Sequence, residues 1–256
     1  MCIRDRPQTG QMGEEVGLQL EACVVGPDVD AHDSRSCRIA GVDGVPGGWV
    51  VGVVSAGLVE WSVQPDAAAV LAATRDCCVV GVDIPLGLPA GSARRACDTL
   101  AATRLGRARS SVFPAPPREV LAAPDYAQAC AVARRLTGRA ISLQTFHITP
   151  KIAEWDAVAL PDRVVEVHPE LALRALAPEA EFAPKKSARG AGQRIAALAR
   201  WVDPAVALGD LPPGARLDDV LDALAVAWSA RRWARGAAEV LGNERDARGR
   251  PMRIVC

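Results

Sequence analysis

Apolar positions fall into short runs and longer periodic stretches, and the two kinds separate strands from helices. Residues 38–43 (RIAGVD) form a short apolar run closed by an acid, and 49–56 (WVVGVVSA) form another. Residues 58–63 (LVEWSV) alternate with the period of two expected of a half-buried strand. Between the first two lies GVPGG (44–48), and Gly57 separates the second from the third. Proline and glycine supply the backbone angles of tight reversals, so the three runs predict an antiparallel meander. Residues 65–74 then predict a helix. Residues 77–83 (CCVVGVD) are apolar without interruption until a closing acid, as a strand covered on both faces should be. The prolines and glycines of 84–89 stop it.

Helical patterning follows at 92–106, 118–122, 125–137 (stopped by Gly138) and 142–157, with a loop at 107–117. A fifth strand is predicted at 163–169 (RVVEVHP), where Pro169 opens the helix PELALRAL. A basic connection, PKKSARGAG (184–192), leads into a helix over 192–202. A loop at 202–215 precedes a long helix from Leu217 to Ala234, and the remainder predicts two short strands around a turn. Meander, helix, strand, helices, strand, helices is the order of an α/β domain: a mixed sheet with helices on both faces.

Composition narrows the function classes. The chain has 256 residues, 50% of them apolar, enough for one substantial domain. Its formal net charge is zero, so no global field draws it to nucleic acid or membrane. Only three of the 30 basic residues are lysines, which with the abundance of alanine reflects GC-rich coding more than phosphate binding. The eight cysteines are scattered, without CxxC pairs or zinc-ligand spacing. They predict reduced thiols in a cytoplasmic protein, with Cys77 and Cys78 as small core residues. There is no run of about 18 apolar residues to cross a membrane and no signal-peptide pattern. The opening MCIRDR reads as a translated library adapter, and residues 1–37 are unpatterned. They are assigned to a disordered or artefactual tail, and 38–256 to a single domain.

The chemistry lies in the acids. Asp43 ends the first strand and Asp83 the fourth; Glu166 lies within the fifth, followed by Glu170; Asp219 and Asp222 sit near the start of the long helix. The carboxyl ends of neighbouring parallel strands form the usual crevice of an open α/β sheet, and residues three apart share one face of a helix. Convergence of these groups would be costly, because two carboxylates about 4 Å apart repel by roughly 4 kcal/mol at an effective dielectric near 20. No lysine or arginine is adjacent in sequence to Asp43 or Asp83. A hard dication, Mg²⁺ or Mn²⁺, would supply the missing charge, and a pair of ions would suit phosphodiester hydrolysis. Each acid also has a plain structural reading. A strand-end aspartate forms turns, and Asp218 or Asp219 at a helix start caps it. Asp222 and Glu166, embedded among apolar neighbours, fit such readings least well.

Six stretches together carry a resemblance: GVDGVPGGWV (41–50), VGVDIPLGLP (80–89), RARSSVFPAP (107–116), Gln144 with KIAE (151–154), EVHPE (166–170) and DVLDALAVAW (219–228). Over about residues 39–255 the chain resembles the predicted RNase H-like nucleases, originally grouped as a domain of unknown function. Its last motif also resembles the final helix of Holliday-junction resolvases. Val45 departs from the family, which commonly has cysteine there, and so argues against an essential thiol at that turn. The resemblance implies an RNase H-like fold, a five-stranded mixed sheet whose second strand runs antiparallel to the rest. It also implies metal-dependent cleavage of DNA or RNA by two Mg²⁺ or Mn²⁺ ions. Asp43, Asp83, Asp219 and Asp222 match the family's acids as catalytic and metal-binding residues, with Glu166 as a further catalytic candidate.

Candidate substrate contacts are Arg107, Arg109, Ser110 and Ser111, whose guanidinium forks and hydroxyls suit phosphates, together with Lys151 and His168. Each has a structural alternative: a solvated loop, a helical ion pair with Glu154, and a structural hydrogen bond, respectively. Lys185 and Lys186 read as a mobile basic connection. The competing functions are a non-catalytic nucleic-acid- or protein-binding module on the same fold, and an actin-like ATP-dependent phosphotransferase. The latter requires two such domains, and the turn after Asp43 lacks Ser or Thr.

Overall fold

A computed structural model describes residues 37–256; the expectation for the N-terminal tail falls outside these apart from Cys37. The meander forms as β1 (Ile39–Val45), β2 (Gly48–Ser55) and β3 (Leu58–Gln64), and helix α1 (Ala67–Ala73) leads to β4 (Val79–Val82). Helix α2 (Ala96–Leu105) runs into a 3-10 helix (Gly106–Ser111), and a second 3-10 helix (Arg118–Ala122) precedes α3 (Tyr126–Thr137) and α4 (Leu143–Ala157). Then come β5 (Val164–Glu166), α5 (Pro169–Leu176), α6 (Ala188–Leu198), α7 (Pro204–Ala207) and α8 (Leu217–Ala234). A hairpin of β6 (Val240–Arg245) and β7 (Pro251–Val255) ends the chain.

Sheet order is β3-β2-β1-β4-β5, with β2 antiparallel to its neighbours and β1, β4 and β5 parallel. This is the expected five-stranded mixed sheet flanked by helices, consistent with an RNase H-like fold. The terminal hairpin lies beyond β5, where Val255 bridges Val167.

Strand periodicity assigns each side chain to a face. Ala40, Val42, Val80 and Val82 pack against Val70 of α1 and Ile152 and Trp155 of α4. Ile39, Val79 and Val165 face α5, α6 and α8. The seating of α8 depends on glycine. Gly52, Gly41 and Gly81 lie side by side across β2, β1 and β4. A Cβ on Gly41 would fall 1.9 Å from the Ala223 carbonyl oxygen and 2.5 Å from the Ala227 nitrogen; one on Gly81 would meet Val226 at 2.8 Å. The helix backbone therefore rests directly on the sheet. Leu221, Leu224 and Val226 of the same helix are buried, each contributing about 1.5–3 kcal/mol, which together offset a buried carboxylate's cost of several kcal/mol.

Three details differ from the sequence reading. Helix α2 begins at Ala96 rather than Ser92, because a turn at 91–92 and an irregular stretch after it lead to Arg95, which is buried in the core. The segments read as loops at 107–117 and 202–215 contain the 3-10 helix Gly106–Ser111 and α7, the latter capped by Asp203. Cys37 and Cys78 form a disulfide where reduced thiols were expected, and Cys78 is exposed rather than in the core. They precede the neighbouring parallel strands β1 and β4, which brings their Cα atoms to 5.8 Å. No helix among the described residues is long and apolar enough to cross a membrane.

Candidate active site

Two copies of Gly-Val-Asp, at 41–43 and 81–83, lie in parallel register, Gly41 beside Gly81 and Val42 beside Val82. The register carries on to Asp83, whose backbone N–H donates to the Val42 carbonyl at 3.0 Å. The glycines face α8, so two residues later both aspartates face the same way. The close approach of α8 over these glycines brings in Asp222. Asp43, Asp83 and Asp222 thus line one cavity of about 480 Å³ at the carboxyl end of the sheet.

Asp222 is 3% exposed, with Oδ2 2.5 Å from Lys185 Nζ. Its Oδ1 is buried without a hydrogen-bond partner among the described residues. Asp43 accepts from the Gly44 N–H at 2.7 Å. Burial, then the charges of Asp83 and Asp222, push the Asp43 carboxyl well above the ordinary range. Burial and the charge of Asp222 push Asp83 up to about 8, against the pull of Lys185. Burial raises Asp222 itself to about 6 even with the lysine beside it. Burial alone would lower Lys185, but Asp222, Asp43 and Asp83 raise it above the usual lysine range, so it stays charged. Lys185, read from sequence as part of a mobile connection, is the counter-charge of the site.

Asp219 is not brought to the cavity. It occupies the third position of α8, and its carboxylate accepts from the Arg216 backbone N–H at 3.0 Å, closing the first turn. Glu166 reaches the cavity wall, but both its oxygens are engaged. It pairs with Arg95 through two guanidinium nitrogens and accepts from the Leu86 N–H at 2.9 Å. Its register partner is Val82, one residue short of Asp83, so strand alternation turns it out of phase with the aspartates. Arg95, 1% exposed and also paired with Asp98, was not singled out from the sequence; an arginine within 92–106 gave no sign that its side chain turns inward. Glu170 lines the cavity and pairs with Arg194.

The candidate substrate contacts divide. Lys151, His168 and Ser111 line the cavity; Arg109 and Ser110 are exposed outside it, and Arg107 lines a neighbouring one. Lys151 reaches back from α4 to the Gly48 carbonyl at 2.5 Å and lies 4.3 Å over the Trp49 ring. Burial lowers its pKa, while Glu154 and Asp43 hold it up. Glu154 accepts from the Trp49 indole N–H at 2.7 Å, so the helical ion pair is not its role. Pro150, inside α4, cannot donate to Phe146; the Thr149 hydroxyl donates to that carbonyl instead, at 2.7 Å. His168 Nε2 lies 3.2 Å from the Ser111 carbonyl, which can only accept, so Nε2 carries the proton. Burial lowers the His168 pKa, keeping the ring neutral with Nδ1 as an unpartnered acceptor.

Carboxylate oxygens, one of them orphaned, form a donor set chemically suited to a hard dication. As the side chains stand, no group of three or more His, Cys, Asp or Glu among the described residues is gathered tightly enough to hold an ion. Lys185 supplies one positive charge in its place.

No curated protein and no solved structure matches the sequence. A family model described as "Protein of unknown function (DUF429)" matches residues 41–247, a span that includes Asp43, Asp83, Lys185 and Asp222. The chain belongs to the DUF429 family.

Proposed function

We propose that the protein is a divalent-metal-dependent nuclease that hydrolyses phosphodiester bonds in DNA or RNA. One observation carries the reading: three carboxylates from three separate elements face one cavity, and among the described residues only Asp222 of the three has an ion-pair partner, Lys185. A scaffold without chemistry to do gains nothing from such a cluster, since buried carboxylates in excess of their partners destabilise it. Asp43, Asp83 and Asp222 would hold Mg²⁺ or Mn²⁺. Bound there, the ion supplies Lewis-acid stabilisation of the phosphoryl oxygens and lowers the pKa of a bound water. With Asp219 engaged at the helix start, three carboxylates remain for the two ions that the resemblance implies. Mg²⁺ characteristically uses one or two carboxylates and completes its shell with water and substrate phosphate oxygens.

The chain's own groups have complementary tasks. Lys185, at the cavity wall beside Asp222, would offer its ammonium group to a phosphate oxygen. Lys151 brings positive charge to the Asp43 side of the cavity. His168 offers a neutral nitrogen acceptor that can orient a water.

The alternative reading, a non-catalytic binding module, draws on the Lys185–Asp222 pair, which partly neutralises the site without an ion. Cleavage assays separate the two. Purified protein with Mg²⁺ or Mn²⁺ should cut at least one of single-stranded, duplex, hybrid or branched substrates, and Asp43→Asn should not cut while melting cooperatively. A wild-type protein inert on all four with both ions removes the nuclease reading.

A further inference from the structure

The acid cavity is not the only concave charged surface. Behind the 3-10 helix Gly106–Ser111 lies a trough of about 780 Å³ bordered by Arg104, Arg107, Arg174 and Arg232, with Glu181 and Glu239 as its acids. Arg104 pairs with Glu239, and Arg232 donates to the Ala237 carbonyl at 2.5 Å. Arg107, Arg174 and Arg232 have no ion-pair partner among the described residues, and neither has Glu181, so four arginines face two acids and the surface is net positive.

The trough and the acid cavity share their walls. Four segments border both. The 3-10 helix gives Arg107 to the trough and Ser111 to the cavity; the stretch after α5 gives Phe182 to the trough and Lys185 to the cavity. The end of β7 gives Ile254 to the cavity, with Cys256 beyond it in the trough. On α5, Glu170 faces the cavity and Arg174, four residues on, faces the trough. That step is about one helical turn, roughly 5.4 Å. A strand carrying one charge per ~3.4 Å of helix axis covers it in one or two phosphates. The arginines are spread over different elements rather than gathered round one point, which suits a chain of phosphates better than a single anion. Phe182, half-buried at the trough's edge, gives a sugar or base an apolar surface to lie on.

We infer that this trough is a tracking groove for the phosphodiester backbone of the strand flanking the bond held in the acid cavity, with Arg107 and Arg174 as its phosphate contacts. The inference rests on the nuclease reading and makes the substrate a polynucleotide rather than a mononucleotide-sized diester.

Fluorescence anisotropy of labelled single strands of about 2 and about 20 nucleotides, in EDTA, tests it without requiring cleavage, because the shorter probe ends before the trough. Arg107→Glu/Arg174→Glu should weaken binding of the longer strand by on the order of tenfold or more and of the shorter one much less. The log–log salt slope for the longer strand should become shallower by about 1.4, two contacts at about 0.7 each. Thermal melting of the variant checks that it folds, and Arg107→Lys/Arg174→Lys should retain most of the affinity. Unchanged affinity for the longer strand, or an equal loss for both lengths, overturns the groove. A protein that cleaves nothing but binds long strands through these arginines leaves the groove standing and removes the nuclease reading alone.

Discussion

Two buried charge clusters in this molecule are built on opposite terms. In the turn that joins β6 to β7, Asp246 accepts from the backbone N–H groups of Leu88, Arg248 and Arg250 and pairs with Arg118. Asp156, beside it, pairs with Arg118, Arg248 and Arg250. Burial pushes Asp246 up, but those backbone donors and Arg118 more than reverse it, and its carboxyl stays below the ordinary value. In the acid cavity, only Asp222 of Asp43, Asp83 and Asp222 has an ion-pair partner among the described residues, Lys185, and all three are raised. The first cluster has more donors than carboxylates and fastens the C-terminal hairpin to α4. The second is short of positive charge. Burial of acids is common to both, so burial alone does not mark a functional site; the deficit of partners does.

The comparison can be broken by substitution. The largest effect belongs to Asp43→Asn, which should lower Mn²⁺-dependent cleavage by about 10²–10³-fold or more, the scale of losing electrostatic stabilisation of a transition state. The same variant, without metal, should melt higher than the wild type at neutral pH, since it removes a carboxyl that ionises readily in the unfolded chain and is held from ionising in the folded one. Asp156→Asn should do the reverse, costing about 1.5–3 kcal/mol in chemical denaturation, because it removes the buried carboxylate on which three arginines converge. If both aspartates destabilise equally when changed, the distinction between the clusters fails.

Proton linkage gives an intermediate effect. Folded-state pKa values raised above the unfolded value mean that the native state binds more protons, so stability falls as pH rises through the interval. For Asp222 and Asp83 that interval runs from the ordinary 3.8 to about 6 and about 8. Melting temperature measured in EDTA should therefore decline from pH 4 to pH 8, and saturating Mn²⁺ should flatten the decline. The smallest effect is that of Asp219→Ala: loss of about 0.5–1 kcal/mol of helix-start stabilisation with cleavage retained. A cleavage defect as large as that of Asp43→Asn would return Asp219 to the site.

Much of this architecture was legible in the chain. The meander, the doubly covered fourth strand and the long apolar helix follow from periodicity, because alternation and continuous apolar runs report directly which faces are buried. Asp43, Asp83 and Asp222 were legible for the same reason: they close or interrupt apolar elements. The repeated Gly-Val-Asp held more than was taken from it, since two identical triplets in neighbouring parallel strands align their acids. Asp219 and Glu166 show what the sequence leaves open: the first lies outside the cavity, the second on its wall but paired with Arg95. A three-residue spacing places Asp219 near Asp222 on the helix, but at the first turn its own backbone competes for the carboxylate. An acid within a strand faces one side or the other according to register, and register is a property of the neighbouring strand. Lys185 was hidden because it is 37 residues from its partner in a segment without periodicity, where only the packing of the loop after α5 decides what it meets. Arg95 and the Cys37–Cys78 pair were hidden similarly, by contacts that form only after the strands align.

The most direct test is a crystal structure of the protein soaked in Mn²⁺, read by anomalous scattering. A peak bounded by the carboxylates of Asp43, Asp83 and Asp222, with the Lys185 ammonium moved off Asp222, is the predicted result. An empty cavity with the Lys185–Asp222 pair intact at saturating Mn²⁺ would contradict it.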